Sequence, residues 1–364
     1  MHSSTSSFDF QRPIPAQPWR SLLLTALLLT AAGTAAWEIS ARARGYAPTL
    51  NDTTDLWADR REAVQPDSLV ILGDSRPLFD LDLDALESGF GRRPVQLALA
   101  GSCVYPILED LLNDERFHGT VICSVVPGMF FAPGGPLLKN AEDALHRYHR
   151  RTVAQRAGHH LGMLLEEHIA FMKQDDLVLS QLIAQVPVPN RANSYLPPLL
   201  PPYFSTMDRE RRARMTEACA QPGPLQDRIK HGWIPLFTPP PFPDYTPKEV
   251  LAGLAQTVEE RFGKTAALVK KLQARGGRIV FVRFPHSGDL KKLEDAGTPR
   301  SAAWTRLMNE TKAPNIYYSD HSDLVFECPE WSHLSGPDSV EFTKRLVPYL
   351  KEVLANPVSP RPSS

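Results

Sequence analysis

The stretch "SLVILGDSRPLFDLD", residues 68–82, decides how the chain is read. It opens with a short continuous apolar run, the pattern of a strand buried on both faces. The run stops abruptly at Gly73-Asp74-Ser75, with Arg76 next. Gly, Asp and Ser all form turns readily, so a plain turn is one reading. The other is that Ser75 is a nucleophile at the open end of a core strand, and the rest of the sequence must choose between them.

The strand signature recurs at residues 94–100 ("PVQLALA"), 120–126 ("TVICSVV"), 278–284 ("RIVFVRF") and 315–320 ("NIYYSD"). Residues 81–90, 104–114, 248–276, 301–312 and 336–354 carry helical spacing between them, and the 248–276 pattern ends at glycine, an ordinary helix stop. Such alternation implies crossover connections and a parallel sheet. The expected fold is α/β: a doubly wound, flavodoxin-like parallel sheet of five strands over 67–128 and 248–355. An insertion over 129–247 interrupts it after the third strand. Residues 140–185 read as helices, with Leu, Met and Ile at helical spacing, and 186–247 hold many of the 34 prolines. Tyr, Phe, Trp and Leu interleave those prolines, so the stretch reads as an ordered, extended cover and not as a free spacer. Residues 208–215, "DRERRARM", read as a solvated helix.

Residues 21–37, "SLLLTALLLTAAGTAAW", carry no charge and lie between Arg20 and Glu38. At about 1.5 Å per residue this run spans roughly 25 Å, the lower limit for crossing a bilayer. Trp19 and Trp37 flank it like interfacial anchors. The expectation is an uncleaved transmembrane anchor over 19–37, after a disordered tail over 1–18 and before a juxtamembrane connector over 38–66. A second disordered tail covers 356–364. The alternative is a cleaved signal peptide with Thr34 and Ala36 at the cleavage site. Arg12 and Arg20 precede the run and Arg42 and Arg44 follow it, so positive charge gives no orientation. With the short tail inside, the domain lies on the periplasmic or extracytoplasmic side of the inner (cytoplasmic) membrane.

A formal net charge of -1 argues against nucleic acid as a partner, because neutralising phosphates takes a basic surplus. The four cysteines include no CxxC pair and read as small buried hydrophobes. Cys103 and Cys328 fall near the expected site rim, where a disulfide is the alternative. His146, His149, His159 and His160 are interleaved with arginines that would repel a metal cation. They read as a solvated basic face, with anionic lipid or an acidic polysaccharide as the functional alternative. No metal and no cofactor is implied.

Ligands gather outside the carboxyl ends of the strands in an open parallel sheet. Gly73-Asp74-Ser75, Gly101-Ser102-Cys103, Pro127-Gly128 and Arg283-Phe284-Pro285 should converge there, together with "CPEWSHLS" ahead of the last helix. A serine hydroxyl is a weak nucleophile until a base takes its proton. Histidine does so near neutral pH, and a carboxylate holds its tautomer. Glu330 stands three residues ahead of His333, a spacing that a turn can close.

This set resembles the SGNH (GDSL-type) hydrolase superfamily, over about residues 67–128 and 277–355. The resemblance implies that Ser75 is the nucleophile, that Ser75 and Gly101 supply oxyanion N–H groups, and that His333 and Glu330 are base and acid. Two departures stand out. "VVPGMFF" lacks the asparagine that such proteins carry after the third strand, leaving Asn140, Arg283 or Arg76 as substitute donors. Glu330 replaces the usual aspartate, with Asp320 and Asp323 as alternatives for the acid. Asp74, Arg76 and Arg283 are further candidates for substrate binding.

The combination of anchor, SGNH-like domain and large insertion resembles the accessory proteins of exopolysaccharide O-acetylation. That likeness implies an exported serine esterase or O-acyltransferase acting on O-acyl groups, O-acetyl above all, of a cell-surface polysaccharide. It also implies a multi-spanning membrane O-acyltransferase as partner. Tyr195, Tyr203, Trp233 and Tyr245 would then wall a sugar site, the plainer reading being that they pack the insertion. The rival reading is a non-catalytic binding or scaffold subunit of the same fold that partners the acyltransferase.

Overall fold

The five apolar runs form one all-parallel sheet: β1 (Leu69–Leu72), β2 (Val95–Gln96), β3 (Thr120–Ser124), β6 (Arg278–Arg283) and β7 (Asn315–Tyr317). Their spatial order is β2-β1-β3-β6-β7, every neighbour parallel. Two short strands, β4 (Ser205–Met207) and β5 (Ala213–Met215), pair separately as an antiparallel hairpin. The computed structural model of the protein describes residues 17–173, Leu177, Ile183, 202–238 and 241–355. The expected tails, except for residues 17 and 18, therefore lie outside the described residues, as do 186–201, with Tyr195, and 239–240 of the proline-rich stretch.

Both faces of the sheet are covered, which is why its strands read as unbroken apolar runs. Val70, Leu72, Val121, Cys123, Ile279 and Phe281 join a core beneath the helices Tyr105–Asn113, Lys248–Ala274 and Arg306–Thr311. The alternate residues Leu69, Ile71, Ile122, Val280 and Val282 join a second core beneath the helices Leu83–Phe90 and Gly336–Ala355. The chain leaves β1 outward to β2, then crosses back to β3 on the other side. The carboxyl ends of β1 and β3 are thus a topological switch point, where such sheets open a crevice.

Several boundaries differ from the sequence reading. Residues 38–66 are not a mere connector. The apolar helix runs on as Trp19–Ala43, and a further helix, Thr54–Glu62, buries Trp57 completely, with its indole N–H donating to Leu97 O at 2.9 Å. Residues 224–237, expected to be extended, are helical through Pro235. Two helices, Ser75–Asp80 and Gly288–Gly297, have no strong periodicity and were not expected.

Residues 208–215 are not a solvated helix but the turn and second strand of the β4–β5 hairpin. At that turn Arg211 adopts φ 59° and is fully buried. It donates to both carboxylate oxygens of Asp52 at 2.8 Å and to Ala98 O at 2.6 Å. One guanidinium thereby ties the insertion to the segment leaving β2. The helix Trp19–Ala43 is long and apolar enough to span a membrane, and its apolar stretch is not buried against the rest of the protein.

Arg211→Ala should destabilise the fold by about 2–3 kcal/mol, because it removes the partner of the half-buried Asp52 carboxylate and leaves the buried Ala98 carbonyl unpaired. Arg211→Lys should recover little of this, since an ammonium cannot reproduce the two-pronged contact. Chemical denaturation midpoints of the two variants check the expectation.

Candidate active site

β1 ends at Leu72 and the chain turns at Gly73 with φ 152°. A Cβ there would fall 2.5 Å from Ser124 Cβ and 2.6 Å from Pro77 Cγ, so only glycine lets the turn pack against β3. Asp74 then caps the helix Ser75–Asp80, its Oδ1 accepting from Arg76 N–H at 2.8 Å. Ser75 is the first helical residue, so its own N–H has no intrahelical partner. It is half-buried, just past the carboxyl end of β1.

The structure brings Ser75, His333 and Glu330 together. Ser75 Oγ lies 2.7 Å from His333 Nε2, and His333 Nδ1 lies 2.9 Å from Glu330 Oε1. A carboxylate oxygen accepts, so Nδ1 carries the proton and Nε2 is left to accept from the serine hydroxyl. Glu330 Oε1 also accepts the backbone N–H of His333 at 2.6 Å. Asp320 and Asp323 do not take this role: the first pairs with Arg300 and the second accepts from Tyr349.

The turn from Cys328 to His333 is braced from outside. Ser287 Oγ accepts from Cys328 N, and Ser287 N donates to Trp331 O, both at 2.8 Å. Trp331 has φ 79°, a costly conformation for so bulky a residue, and it sits between Glu330 and His333 in the chain. Gly288 gives its indole room, for a Cβ there would collide with the ring. From the other side Asp80 Oδ1 accepts Leu334 N–H at 2.8 Å, joining the serine-bearing helix to the histidine loop.

Aromatic side chains close over the imidazole. Phe79, from the serine-bearing helix, has its ring 4.4 Å from that of His333. Phe204 and Trp233, both from the insertion, lie 6.0 and 5.8 Å away. The Trp233 indole N–H donates to Glu330 Oε2, the carboxylate oxygen that His333 leaves free. Trp233 was foreseen only as a sugar-stacking or packing residue, and Phe79 and Phe204 were not foreseen. No spacing rule links position 233 to 330, so this contact has no sequence signal. Tyr245 is 87% exposed, and Tyr203 stacks on Tyr46.

Gly101 lies at the same rim. Backbone pairing continues past β2, with Leu97 N donating to Ile71 O and Leu99 N to Gly73 O, each at 2.9 Å. Gly101 follows two residues later with φ 59°, and Asn140 Nδ2 donates to its carbonyl at 2.9 Å. Asn140 thus braces the loop. After β3 the chain enters the short helix Pro127–Phe130, whose sequence offers no side-chain amide.

The three side chains considered for substrate binding are internal supports instead. Asp74 is a helix cap, and Arg76 and Arg283 are 1% and 3% exposed. Both guanidiniums pair with Glu294, from the helix Gly288–Gly297. Burial opposes ionisation of Glu294, but Arg76 and Arg283 outweigh it and hold its carboxyl well below the usual range. Burial pushes Asp74 and Asp80 the other way, above the usual range, against the pull of Arg76. His286 completes the cluster, its Nε2 lying 3.2 Å from Arg283 Nη2. Burial first, and then the charges of Arg76 and Arg283, hold its pKa down at about 2.

Elsewhere, all four cysteines are free and buried, so Cys103 and Cys328 form no disulfide. His149 and His159 face Asp110 and Asp59, and no group able to hold a metal ion exists among the described residues. No family model matches the chain, and no curated protein matches it.

Two expectations follow from these contacts. Trp233→Phe keeps the ring but removes the donor to Glu330. The rate at which a fluorophosphonate reacts with Ser75 should fall about tenfold, the equivalent of about 1.4 kcal/mol. The second concerns pH. An unfolded chain protonates His286 near 6.5, whereas the folded one resists until about 2. The unfolded state therefore binds more protons between those values, and this contribution to stability, whole above 6.5, is lost as pH falls through the window. Glu294 acts in the same direction, while Asp74 and Asp80 act against it. Denaturation midpoints should show a shallower pH slope for His286→Gln than for the unsubstituted protein across this window.

Proposed function

We propose that the protein is a membrane-anchored serine esterase or O-acyltransferase of SGNH type. The observation that carries this reading is the 2.7 Å contact between Ser75 Oγ and His333 Nε2, with Glu330 behind the imidazole. The switch-point position of Ser75, the strand order and the turn at Gly101 support the same reading.

In the first half-reaction, Ser75 Oγ attacks the carbonyl carbon of an ester while its proton passes to His333 Nε2. Glu330 stabilises the imidazolium through Nδ1–H. The oxyanion is received by the N–H groups of Ser75 and Gly101, each donor contributing about 3–4 kcal/mol. The C–O bond to the leaving alcohol breaks, and His333 returns its proton to that oxygen. An acyl-Ser75 ester remains. In the second half, water or a sugar hydroxyl attacks that ester, giving up its proton to His333, which then restores the serine hydroxyl. Water yields hydrolysis, and a sugar hydroxyl yields transfer.

The likeness to accessory proteins of exopolysaccharide O-acetylation supports O-acyl groups of a cell-surface polysaccharide, O-acetyl first, as the substrate class. On this reading the domain is exported and stands on the periplasmic side of the inner membrane, beside a multi-spanning O-acyltransferase. The aromatic and proline-rich insertion contributes the wall over the site through Phe204 and Trp233.

A second reading, a binding or scaffold subunit without turnover, is favoured by one feature: no third oxyanion donor follows β3. Asn140 is engaged with Gly101 O, and Arg76 and Arg283 are engaged with Glu294. A fluorophosphonate probe separates the two. The enzyme reading expects Ser75 to be modified, and Ser75→Ala and His333→Ala to abolish both labelling and cleavage of an acetyl ester. An unlabelled, folded protein would favour the scaffold reading.

A further inference from the structure

Helix Val153–Glu166 begins at a reciprocal cap, in which Thr152 Oγ1 accepts from Gln155 N and Gln155 Oε1 accepts from Thr152 N. One side of it faces the domain: Met163 is buried, and the Glu166 carboxylate accepts Asn51 N–H at 2.9 Å. The opposite side is apolar and, among the described residues, uncovered. Val153, Leu161, Leu164 and Leu165 are 84%, 66%, 52% and 51% exposed. With Ala157 they recur every three or four residues and make one stripe along the helix. A lone exposed leucine needs no explanation, but a continuous stripe marks a contact surface.

Its position says what covers it. Trp37, the last residue of the uncharged run, stacks on Phe171 at 4.8 Å. Glu38 accepts the N–H groups of Ala170 and Phe171 at 3.0 and 3.2 Å, and Arg42 donates to His168 O at 3.1 Å. A tryptophan ending a membrane span sits at headgroup level. Residues 168–171 are therefore held at that level, and Leu164 and Leu165 come only a few residues earlier in the chain.

We propose that helix Val153–Glu166 lies in the membrane–water interface beside the anchor, with its leucine stripe immersed among the lipid chains. The occupant of this surface is the bilayer itself. The attraction is apolar and not a matter of anionic headgroups, because the stripe itself carries no charge and the two nearest arginines, Arg151 and Arg156, are paired with Asp59 and Glu62. Held at two points, the domain cannot swing about its anchor. Tyr46, just beyond the anchor helix, stacks on Tyr203 at 5.0 Å, and the next residue, Phe204, packs on His333. The crevice is thereby kept close to the lipid surface, suited to a substrate presented there. The interfacial placement rests on the anchor spanning the bilayer and not on the acyl-transfer reading.

Nitroxide accessibility tests it on the full chain in lipid nanodiscs. Labels are placed one at a time at Leu161→Cys, Leu164→Cys, Leu28→Cys in the anchor and Lys270→Cys on an exposed helix face; the native cysteines are buried. The ratio of collision with oxygen to collision with a water-soluble nickel chelate should be several-fold higher at 161 and 164 than at 270. It should approach the value at 28 and be the same in zwitterionic and anionic lipid and at high salt. A ratio at 161 and 164 equal to that at 270 would overturn the proposal while leaving the anchor standing. Shielding of 161 and 164 from both reagents would overturn it in favour of a protein partner or a second copy. An aqueous reading at 28 would remove the anchor and the proposal together.

Discussion

The buried carboxylate of Glu330 is the joint on which the site turns. Three N–H groups converge on it: the backbone and Nδ1 of His333 on one oxygen, and the Trp233 indole on the other. A buried carboxylate without partners is among the most costly groups a fold can carry. Satisfying this one fixes the imidazole tautomer, aims Nε2 at Ser75 and draws a helix of the insertion onto the sheet. Loop, base and cover are therefore determined together, and a change to any one of them reaches the others through a single side chain.

The sheet supplies the other half of the arrangement. Its strand order places Ser75 where the chain reverses direction across the sheet, with Gly101 at the end of the neighbouring strand. The close packing of Gly73 on Ser124 lets the serine-bearing helix start at the strand end. Beneath it the Arg76–Glu294–Arg283 cluster and the Asp74 cap are wholly internal. They stiffen the floor beneath Ser75, and the partly exposed groups of the site are Ser75, Phe204 and Trp233, with the imidazole buried behind them. The apolar N-terminal helix is part of the same arrangement, since its last turns are fastened to residues 168–171 and the chain after it passes beside the strand that follows Phe204.

Much of this was legible in the sequence. Buried parallel strands read as apolar runs because both faces are covered, so all five could be placed, and strand ends locate a crevice without knowledge of side chains. Ser75 was singled out by its place after a strand end, and Glu330 and His333 by their three-residue spacing ahead of the last helix; the structure brings the three side chains together. What escaped depends on contacts between segments far apart in the chain. Trp233 meets Glu330, and Arg211 meets Asp52, through the fold alone. "DRERRARM" has the composition of a solvated helix, yet its central arginine is buried by partners that no local pattern reveals. Arg76 and Arg283 looked available to a ligand because their common partner, Glu294, lies in a helix of weak periodicity. Residues 38–66 looked like a connector for the same reason: Trp57 is one large side chain in an otherwise polar helix.

The most direct test of the account is the structure of the protein after reaction with an organophosphonate. The account expects phosphorus bonded to Ser75 Oγ, its oxygen within hydrogen-bond reach of the Ser75 and Gly101 N–H groups, and His333 still held between Glu330 and the adduct. An unmodified Ser75, with the imidazole turned away from it and the Gly101 N–H directed elsewhere, would contradict it.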